Sequence, residues 1–293
     1  MTFTYSEFTT RNIGFVTEQQ QQKLNDACVF VCGTGGMGGA AIQSLIRSGV
    51  GNLILADLDC FETSNLNRQV FANLRSLDHP KAEATRDQCL EINPEAKIDV
   101  FDASWTNAAS ELISKAAVVV NGTDNLAATL LLYRTARKLG RPVIDAYASP
   151  LPSVYVTRPG RPTPEERLRY PTTQTQWDAI TDTQRSEAFF AEAVFVMLNS
   201  SSRHYIDLDL AAEVAAGRRS RMSFAPMVIN TGALMAYEAL GLLLDLPNST
   251  DERGWFFNPY KAKIERPLPR PLAAILEPFV RRQLAGMIGS SDD

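Results

Sequence analysis

The sequence predicts an α/β protein whose first half forms a doubly wound, mostly parallel sheet of the Rossmann-like class. Three observations lead to this prediction. Short apolar runs alternate with segments of helical period, and a glycine-rich turn separates the first run from the first such segment. The composition, 45% hydrophobic and 21% charged over 293 residues, is that of a globular chain long enough for one large domain or two small ones.

The first buried strand is predicted at residues 27–32, where β-forming apolar residues are closed by glycines. Residues 33–39 read Gly-Thr-Gly-Gly-Met-Gly-Gly, and Ile42, Leu45 and Ile46 then recur at the spacing of one helix face. A second strand at residues 52–56 ends in Asp57. These segments form a β-α-β unit of about thirty residues, the usual size for one crossover.

The same alternation continues to residue 147. Apolar periodicity predicts further helices near residues 80–92, 108–115 and 125–139, and further strands near residues 97–101, 117–121 and 142–147. Strands that alternate with helices are typical of a parallel sheet with helices on both faces.

The composition changes abruptly at residue 149, and six prolines stand between residues 149 and 171. We therefore expect the chain to leave the first half of the fold there. Beyond it, helices are predicted at residues 185–198, 208–216, 225–246 and 272–287, and strands at residues 254–257 and 263–265. The segment 225–246 is nearly all apolar, but Asn230 and Glu238 favour a core helix over a membrane span.

Charge and cysteine content limit the possible functions. The formal charge of -4 gives no general attraction for nucleic acid or anionic lipid, so nucleic-acid partners are not expected, although a tRNA substrate stays open. The four cysteines form no Cys-x-x-Cys pair, which argues against a zinc site. With no secretory signal or membrane span recognised, we expect a cytoplasmic protein with reduced thiols.

The glycine turn predicts an anion site. Glycines let backbone N–H groups approach a phosphate, and a helix that starts there adds the positive end of its dipole. Asp57 ends the second strand nineteen residues after Gly38, where a carboxylate accepts hydrogen bonds from ribose hydroxyls. Together these features predict a nucleotide site that suits NAD as well as ATP.

Residues that follow Asp59 separate the two nucleotides. Arg68 and Lys81 would add two cations at the phosphate end, and Asp124, at the end of the strand 117–121, would add a metal-binding carboxylate. This set suits a triphosphate that is attacked at its α-phosphorus. Two alternatives stay open: an NAD(P)-dependent oxidoreductase on the same sheet, and solvated surface positions for Arg68 and Lys81.

The combination of motifs resembles the ubiquitin-activating-enzyme-like adenylyltransferases of the ThiF, MoeB and HesA type. The resemblance runs from about residue 10 to 147 and resumes at residues 224–246. The matching motifs are Gly33-Thr34-Gly35-Gly36-Met37-Gly38, Asp57-x-Asp59, Ser64-Asn65-x-Asn67-Arg68-Gln69, Lys81 and Thr123-Asp124-Asn125.

This resemblance implies that a carboxylate, at the C-terminus of a small ubiquitin-like protein or a peptide, attacks ATP to give an acyl-adenylate and pyrophosphate. Residues 1–149 would be the ATP-binding region, and residues 150–293 a crossover and substrate-binding region of the same continuous domain. The implied ATP-binding residues are Gly33, Gly35, Gly36, Gly38, Asp57, Asp59, Asn65, Arg68, Lys81 and Asp124. Asp57 would hold the ribose, Arg68, Lys81 and Asp124 would act in catalysis, and Asp124 would also bind Mg²⁺.

The resemblance also implies a homodimer. Thr10-Arg11-Asn12 is similar to the N-terminal Ser-Arg-Gln segment whose arginine reaches the neighbouring subunit's ATP in symmetric dimers of this family. Arg11 is therefore a candidate catalytic residue that acts in trans.

The chain departs from many family members in its cysteines. The stretches that correspond to their zinc-binding pairs contain no cysteine, and none follows Cys89 to form an enzyme thioester. The adenylate is therefore expected to react with an outside nucleophile, and a non-catalytic family scaffold is a third alternative. Aromatic and basic residues of the segment 150–223 would hold the substrate or form a solvated rim: Tyr155, Arg158, Arg161, Arg167, Arg169, Tyr170, Trp177, Arg218, Arg219 and Arg221.

Overall fold

A computed structural model describes residues 2–215, 218–247 and 249–289. The strands of the described chain are β1 Cys28–Cys32, β2 Asn52–Ala56, β3 Lys97–Phe101, β4 Val118–Asn121, β5 Val143–Asp145, β6 Ser153–Thr157, β7 Trp255–Asn258 and β8 Lys263–Glu265. The helices are α1 Tyr5–Thr9, α2 Glu18–Asp26, α3 Gly36–Arg47, α4 Lys81–Leu90, α5 Trp105–Lys115, α6 Leu126–Lys138, α7 Pro164–Arg167, α8 Asp182–Asn199, α9 Leu208–Ala215, α10 Ala225–Leu243 and α11 Arg270–Gly289.

All these strands form one sheet in the order β3-β2-β1-β4-β5-β6-β7-β8. The pairs from β3 to β5 are parallel, and those from β5 to β8 are antiparallel. The strand order reverses between β1 and β4, which makes the crevice at their carboxyl ends the usual place for a ligand in such a fold. The doubly wound, mostly parallel prediction is confirmed.

Register brings three strand ends to the same edge. Cys32 at the end of β1 lies opposite Ala56 of β2 on one side and Asn121 of β4 on the other. The residues that come next in each strand therefore gather at this edge. They are Gly33, Asp57 and Gly122.

The sheet buries apolar side chains on both faces. Val29 and Val31 of β1 pack into the cluster that contains α3 and α10, while Phe30 packs into the cluster that contains α5 and α6. Because successive side chains of a strand point to opposite faces, this arrangement needs an uninterrupted apolar run. Full burial of each such side chain contributes about 1.5–3 kcal/mol before entropy is counted.

The helix α10 is packed directly on α3. A Cβ atom at Gly232 would come within 2.4 Å of the Met37 carbonyl oxygen, so the two backbones touch there. By length and composition α10 could cross a bilayer, and half of its most apolar stretch is buried inside the fold. Core helices of globular proteins pass the same test, and the contact with α3 matches the expected core position.

One strand was not predicted from the sequence. It is β6, which lies within the proline-rich segment and pairs antiparallel with β5. All five residues of β6 are buried, which a strand in the middle of a sheet requires. The short helices α1, α2 and α7 were not predicted either, and Ala216, the predicted end of α9, lies outside the described residues.

Candidate active site

Three glycines of the site pack backbone against backbone. A Cβ atom on Gly33, which has a φ of +90°, would lie 2.5 Å from the carbonyl carbon of Gly122, and one on Gly38 would lie 1.8 Å from the Gly33 oxygen. Side chains at these positions would force β1, β4 and the start of α3 apart. Gly38 is buried in this contact and does not line the cavity, so its place fits packing rather than phosphate contact.

The start of α3 is open to the cavity. Gly35 is the N-cap, and no side chain caps the helix there. The first amide groups of a helix have no partner within it, so they are available to an anion. Gly35 and Gly36 line the cavity, and a Cβ atom at Gly35 would meet nothing closer than the Gln69 side-chain amide at 3.5 Å.

Asp57 holds the glycine turn in place. Its Oδ2 accepts hydrogen bonds from the backbone N of Thr34 at 2.7 Å and from Thr34 Oγ1 at 3.0 Å. Its Oδ1 accepts from the backbone N of Asp59 at 3.0 Å. Each carboxylate oxygen has two lone pairs, so Oδ1 keeps the capacity to accept from a ribose hydroxyl.

Lys81 lies in the cavity wall with a carboxylate beside it. The residue is only 7% exposed, and its Nζ lies 2.9 Å from Asp59 Oδ2. The backbone N of Lys81 also donates to the Asp59 carbonyl oxygen at 2.8 Å. These contacts fix the first residue of α4 against the turn that follows β2, so the Lys81 side chain is held in the cavity wall.

Arg68 and Asn65 lie on the turn that follows β2. Arg68 Nη1 donates to the Ser64 carbonyl oxygen at 2.8 Å and to Asn67 Oδ1 at 2.9 Å. Asn65 is buried, and its Oδ1 accepts from the backbone N of Glu62 at 3.1 Å. Asn65 thus shapes the turn, and the turn carries the guanidinium into the cavity wall.

Gln69 is a cavity residue to which the sequence analysis gave no role. It is 6% exposed, and its Oε1 is buried without a hydrogen-bond partner among the described residues. A buried acceptor of this kind costs about 1–3 kcal/mol unless something fills it. Its position inside the Asn-x-Asn-Arg-Gln motif was the available signal.

Asp124 follows β4 and is exposed in the cavity wall. Among the described residues, its carboxylate makes no hydrogen bond or ion pair, and no cluster of three or more His, Cys, Asp or Glu side chains could hold a metal. Mg²⁺ usually keeps several waters and binds one or two protein carboxylates together with substrate phosphates. The Asp124 carboxylate, with no partner among the described residues, fits that kind of site.

These residues surround one cavity of about 900 Å³. Most of the residues predicted for the site line it: Gly33, Gly35, Gly36, Asp57, Asp59, Asn65, Arg68, Lys81 and Asp124. Arg11 does not. It lies exposed in the 3-10 turn Thr10–Asn12, outside the cavity of its own chain.

The half of the cavity that faces away from the sheet is largely apolar. Phe189 and Met197 of α8, Met222, and Leu284 of α11 are in its wall. The sequence predicted the α8 and α11 segments as helices, but it did not predict that they line the same cavity as the carboxyl ends of β1 and β2. Of the basic residues expected to meet the substrate, Arg221 lines this half, with its guanidinium 5.0 Å from the Phe189 ring centroid.

A buried polar cluster lies behind the cavity. Asp145 Oδ2 accepts from Asn121 Nδ2 at 2.9 Å, from the Tyr133 hydroxyl at 3.0 Å and from the Tyr155 hydroxyl at 2.8 Å. Burial raises the pKa of Asp145 to about 6, although the bonds from Asn121 and Tyr155 act in the opposite direction. Tyr155 is therefore a core residue and not part of a substrate surface, which corrects its predicted place.

Arg167 is also internal rather than on a rim. Its guanidinium carbon lies 4.9 Å from the ring centroid of Phe195, 5.2 Å from that of Tyr155 and 5.4 Å from that of Tyr147. Tyr147 lines the cavity on its other side. Cation–π contacts of this kind hold the rings in place, so Arg167 supports the cavity wall from behind.

The cysteines divide by exposure. Cys32 and Cys89 are buried, and burial raises the pKa of Cys28 to about 11, which keeps that thiol protonated at neutral pH. Cys60 is exposed and lines the cavity.

Comparison with known proteins gives one family. A model described as the ThiF family matches residues 9–273. The sulfur carrier protein ThiS adenylyltransferase of Escherichia coli (strain K12) is 34% identical over 129 residues, which are 44% of this chain and 51% of that protein. The molybdopterin-synthase adenylyltransferase of the same strain is 40% identical over 108 residues, 36% of this chain and 43% of that protein. The chain thus spans about half the length, or less, of the curated relatives it matches.

Solved structures share the fold at low identity. Escherichia coli MccB with ATP is 19% identical, with a TM-score of 0.61 over 85% of this chain and 65% of that one. Escherichia coli tRNA N6-threonylcarbamoyladenosine dehydratase, TcdA, is 18% identical, with a TM-score of 0.58 over 82% of this chain and 95% of that one. Their sheets and helices superpose on most of this chain, so these structures and this chain share the fold.

Proposed function

Because the chain belongs to the ThiF family, we propose that it is an ATP-dependent adenylyltransferase that activates a carboxylate at the C-terminus of a small protein or peptide. One observation carries the proposal. The cavity at the switch point brings an uncapped helix start, Arg68, Lys81 and Asp124 together, which is the charge distribution that a metal-bound triphosphate needs.

In the proposed reaction a carboxylate oxygen of the substrate forms a bond to the α-phosphorus of ATP. The bond from that phosphorus to the bridging oxygen breaks, and pyrophosphate leaves with the electron pair. The products are an acyl-adenylate and pyrophosphate. A carboxylate is ionised at neutral pH, so the step needs no general base.

The chain's own residues would bind the nucleotide and neutralise the charge on its phosphates. Gly35 and Gly36 would present backbone N–H groups to the phosphates, and Asp57 would accept from the ribose. Arg68 and Lys81 would offset negative charge that grows on the phosphates as the bond breaks. Catalysis would consist mainly of positioning and charge neutralisation.

Asp124 would hold Mg²⁺ together with phosphate oxygens. The ion would supply charge neutralisation at the leaving pyrophosphate. The available carboxylate of Asp124 in the cavity wall supports this assignment.

We also propose a homodimer in which Arg11 reaches the partner's cavity. Arg11 lies outside the cavity of its own chain, and the apolar side chains of Ile13 and Phe15, 44% and 94% exposed, lie within the next four residues. An arginine supplied by a second subunit would add positive charge during the transfer.

The substrate is proposed from the named relatives. The Escherichia coli relatives are adenylyltransferases of a sulfur carrier protein and of molybdopterin synthase. A solved structure of MccB contains N-formylated MccA. The proposed substrate is therefore a small protein or peptide with a free C-terminal carboxylate, in a cytoplasmic setting. A tRNA substrate stays open as the alternative.

Release of the acyl group from an enzyme thioester is not part of the proposal. Two cysteines of the described chain line the cavity: Cys32 is buried at the end of β1, and Cys60 is exposed in the turn after β2. The adenylate would pass instead to a nucleophile from outside.

ATP–pyrophosphate exchange tests the proposal. The protein is incubated with ATP, Mg²⁺, labelled pyrophosphate and candidate carboxyl-terminal peptides, and hydroxylamine traps the acyl-adenylate as a hydroxamate. Exchange that depends on the peptide supports adenylation. ATP binding without exchange would instead indicate a non-catalytic scaffold, and turnover of reduced nicotinamide would indicate an oxidoreductase.

A further inference from the structure

A second cavity, of about 690 Å³, lies next to the nucleotide cavity. It is formed by the end of α8, the 3-10 turn Ser202–His204, the strand β8 and the helix α11. Met197 and Arg203 are in the walls of both cavities. The two therefore adjoin at these side chains, and we call the second one the α11 groove.

The α11 groove has an apolar side. Leu276, Phe279 and Val280 of α11 face Ile264 of β8 across it. Phe279 is 71% exposed and Ile264 is 48% exposed, although each belongs to a regular element that could have carried a polar residue there. Exposed apolar side chains that line a concave surface are typical of a binding site.

The groove also has a cationic side. Arg203 and Arg266 line it, and their guanidinium groups make no hydrogen bond or ion pair within the described part of the chain. Lys263 lies there too, 3.5 Å from Glu265. The Glu265 carboxylate is already engaged by the backbone N and Oγ of Ser201, each at 2.6 Å, and by Asn258 Nδ2 at 2.9 Å. The charge left for a partner is positive.

We propose that the α11 groove binds the segment that precedes the reacting carboxylate, and that this segment is an extended peptide in which acidic and apolar residues are mixed. The inference rests on the proposed function and names its substrate class. A substrate whose carboxylate reaches the nucleotide cavity must continue outward. The groove offers an adjoining path, with apolar contacts on one side and cations on the other.

Arg203 has a specific place in this arrangement. It stands where the two cavities adjoin, so it meets the part of the peptide nearest the carboxylate. An available guanidinium there attracts an anionic chain and keeps the carboxylate end directed inward. The α11 wall of the groove lies beyond residue 273, where the family match ends, while α8, the 3-10 turn and β8 lie within the match.

Fluorescence anisotropy tests the groove without requiring catalysis. The probe is a labelled twelve-residue peptide in which glutamate alternates with leucine, with a free C-terminal carboxylate, and the comparison peptide carries lysine in place of glutamate. The glutamate peptide is expected to bind more tightly, and its binding should weaken as salt is added. Equal binding of the two peptides would overturn the proposal.

Matched variants locate the contact. Arg203→Gln should weaken binding of the glutamate peptide about threefold to fivefold, and Phe279→Ser about tenfold. The controls are Arg282→Gln and Ile275→Ser, at exposed residues of α11 outside the groove, and these variants should bind as wild type does. If Phe279→Ser and Ile275→Ser behave alike, the peptide binds elsewhere. Circular dichroism establishes that each variant is folded.

The two proposals fail in different ways. Loss of preference between peptides with normal pyrophosphate exchange would reject the groove and keep adenylation. The opposite result is that the wild type binds the peptide, Phe279→Ser does not, and no peptide gives pyrophosphate exchange or a hydroxamate. That result would keep the groove and reject adenylation.

Discussion

Lys81 Nζ lies 2.9 Å from Asp59 Oδ2, and the lysine side chain is 9% exposed while the aspartate side chain is 69% exposed. The buried cation is thus joined to a carboxylate that solvent still reaches. In the proposed reaction, a phosphate that approaches Lys81 would share it with Asp59. The pair would position the ammonium group before the nucleotide arrives, which would reduce the cost of orienting it during the reaction.

Lys81→Ala should lower pyrophosphate exchange by about a hundredfold or more, because the charge that offsets the phosphates is removed. Asp59 is largely exposed, so the loss of its partner should change the thermal midpoint little. Lys138→Ala, at the exposed end of α6, is the matched control and should leave exchange unchanged. Near-normal exchange in Lys81→Ala would contradict the assigned role.

Gln69→Leu should make the free protein more stable and the nucleotide complex weaker. The buried Oε1 without a partner is removed, which should raise the free energy of unfolding by about 1 kcal/mol. The rise in thermal midpoint on adding ATP should become smaller than in wild type. Differential scanning calorimetry with and without ATP measures both effects, and Gln22→Leu on the exposed face of α2 is the control. A larger ATP-induced rise would refute a ligand-facing role.

Arg11→Ala and Lys81→Ala should each be inactive alone but complement each other when mixed. If Arg11 serves the partner's cavity, half of randomly mixed dimers contain one intact site of two, so about a quarter of wild-type exchange should return. Subunits are mixed under conditions that allow exchange, and activity is followed over time. A mixture that stays at the parental level would place Arg11 in its own chain's site, or outside any site.

The pH dependence of stability should carry a contribution from Asp145. Its pKa is raised to about 6 by burial, whereas an unfolded aspartate titrates near ~3.9. The contribution of Asp145 to the free energy of unfolding is therefore fully present below the pKa of the unfolded aspartate. It declines as the pH rises towards and through 6. Between pH 4.5 and 7, the wild type should lose about 2 kcal/mol relative to Asp145→Asn.

Urea unfolding of both proteins at each pH measures this difference. The comparison cancels groups that titrate alike in the two proteins. A difference that does not change with pH would mean that Asp145 does not titrate in this range. Asp145→Asn is expected to be less stable at every pH, because the Asn amide would face the backbone N–H of Ala146 or one of the Tyr hydroxyls.

The parallel part of the sheet could be predicted because its strands are continuous apolar runs. The predicted bounds of β2 and β3 agree with the structure. β6 was missed because prolines surround it, and prolines indicate loops unless the burial of the intervening residues is known. α2 is mostly polar and has no strong apolar period, although the capping box of Thr17 and Gln20 marks its start.

The site could be predicted where it depends on residue order along the sheet edge. Asp57 and Asp124 follow strands whose ends are level, so a correct sheet brings them together. The rest of the cavity wall could not be predicted, because it depends on how α8, α9 and α11 pack over that edge. An amphipathic pattern states that a helix has an apolar face, but it does not state which surface receives it.

The backbone contact between Gly33, Gly38 and Gly122 has a consequence for altering nucleotide choice. At this contact, which forms the floor of the crevice, the backbones of β1 and β4 are already as close as they can be. A larger side chain at any of the three glycines would therefore push the strands apart. Gly35 is different, since a methyl group would fit there at ordinary van der Waals distance from Gln69. An engineer who wished to exchange adenine nucleotides for bulkier or smaller analogues would start from the Gly35–Gln69 gap and leave the floor intact.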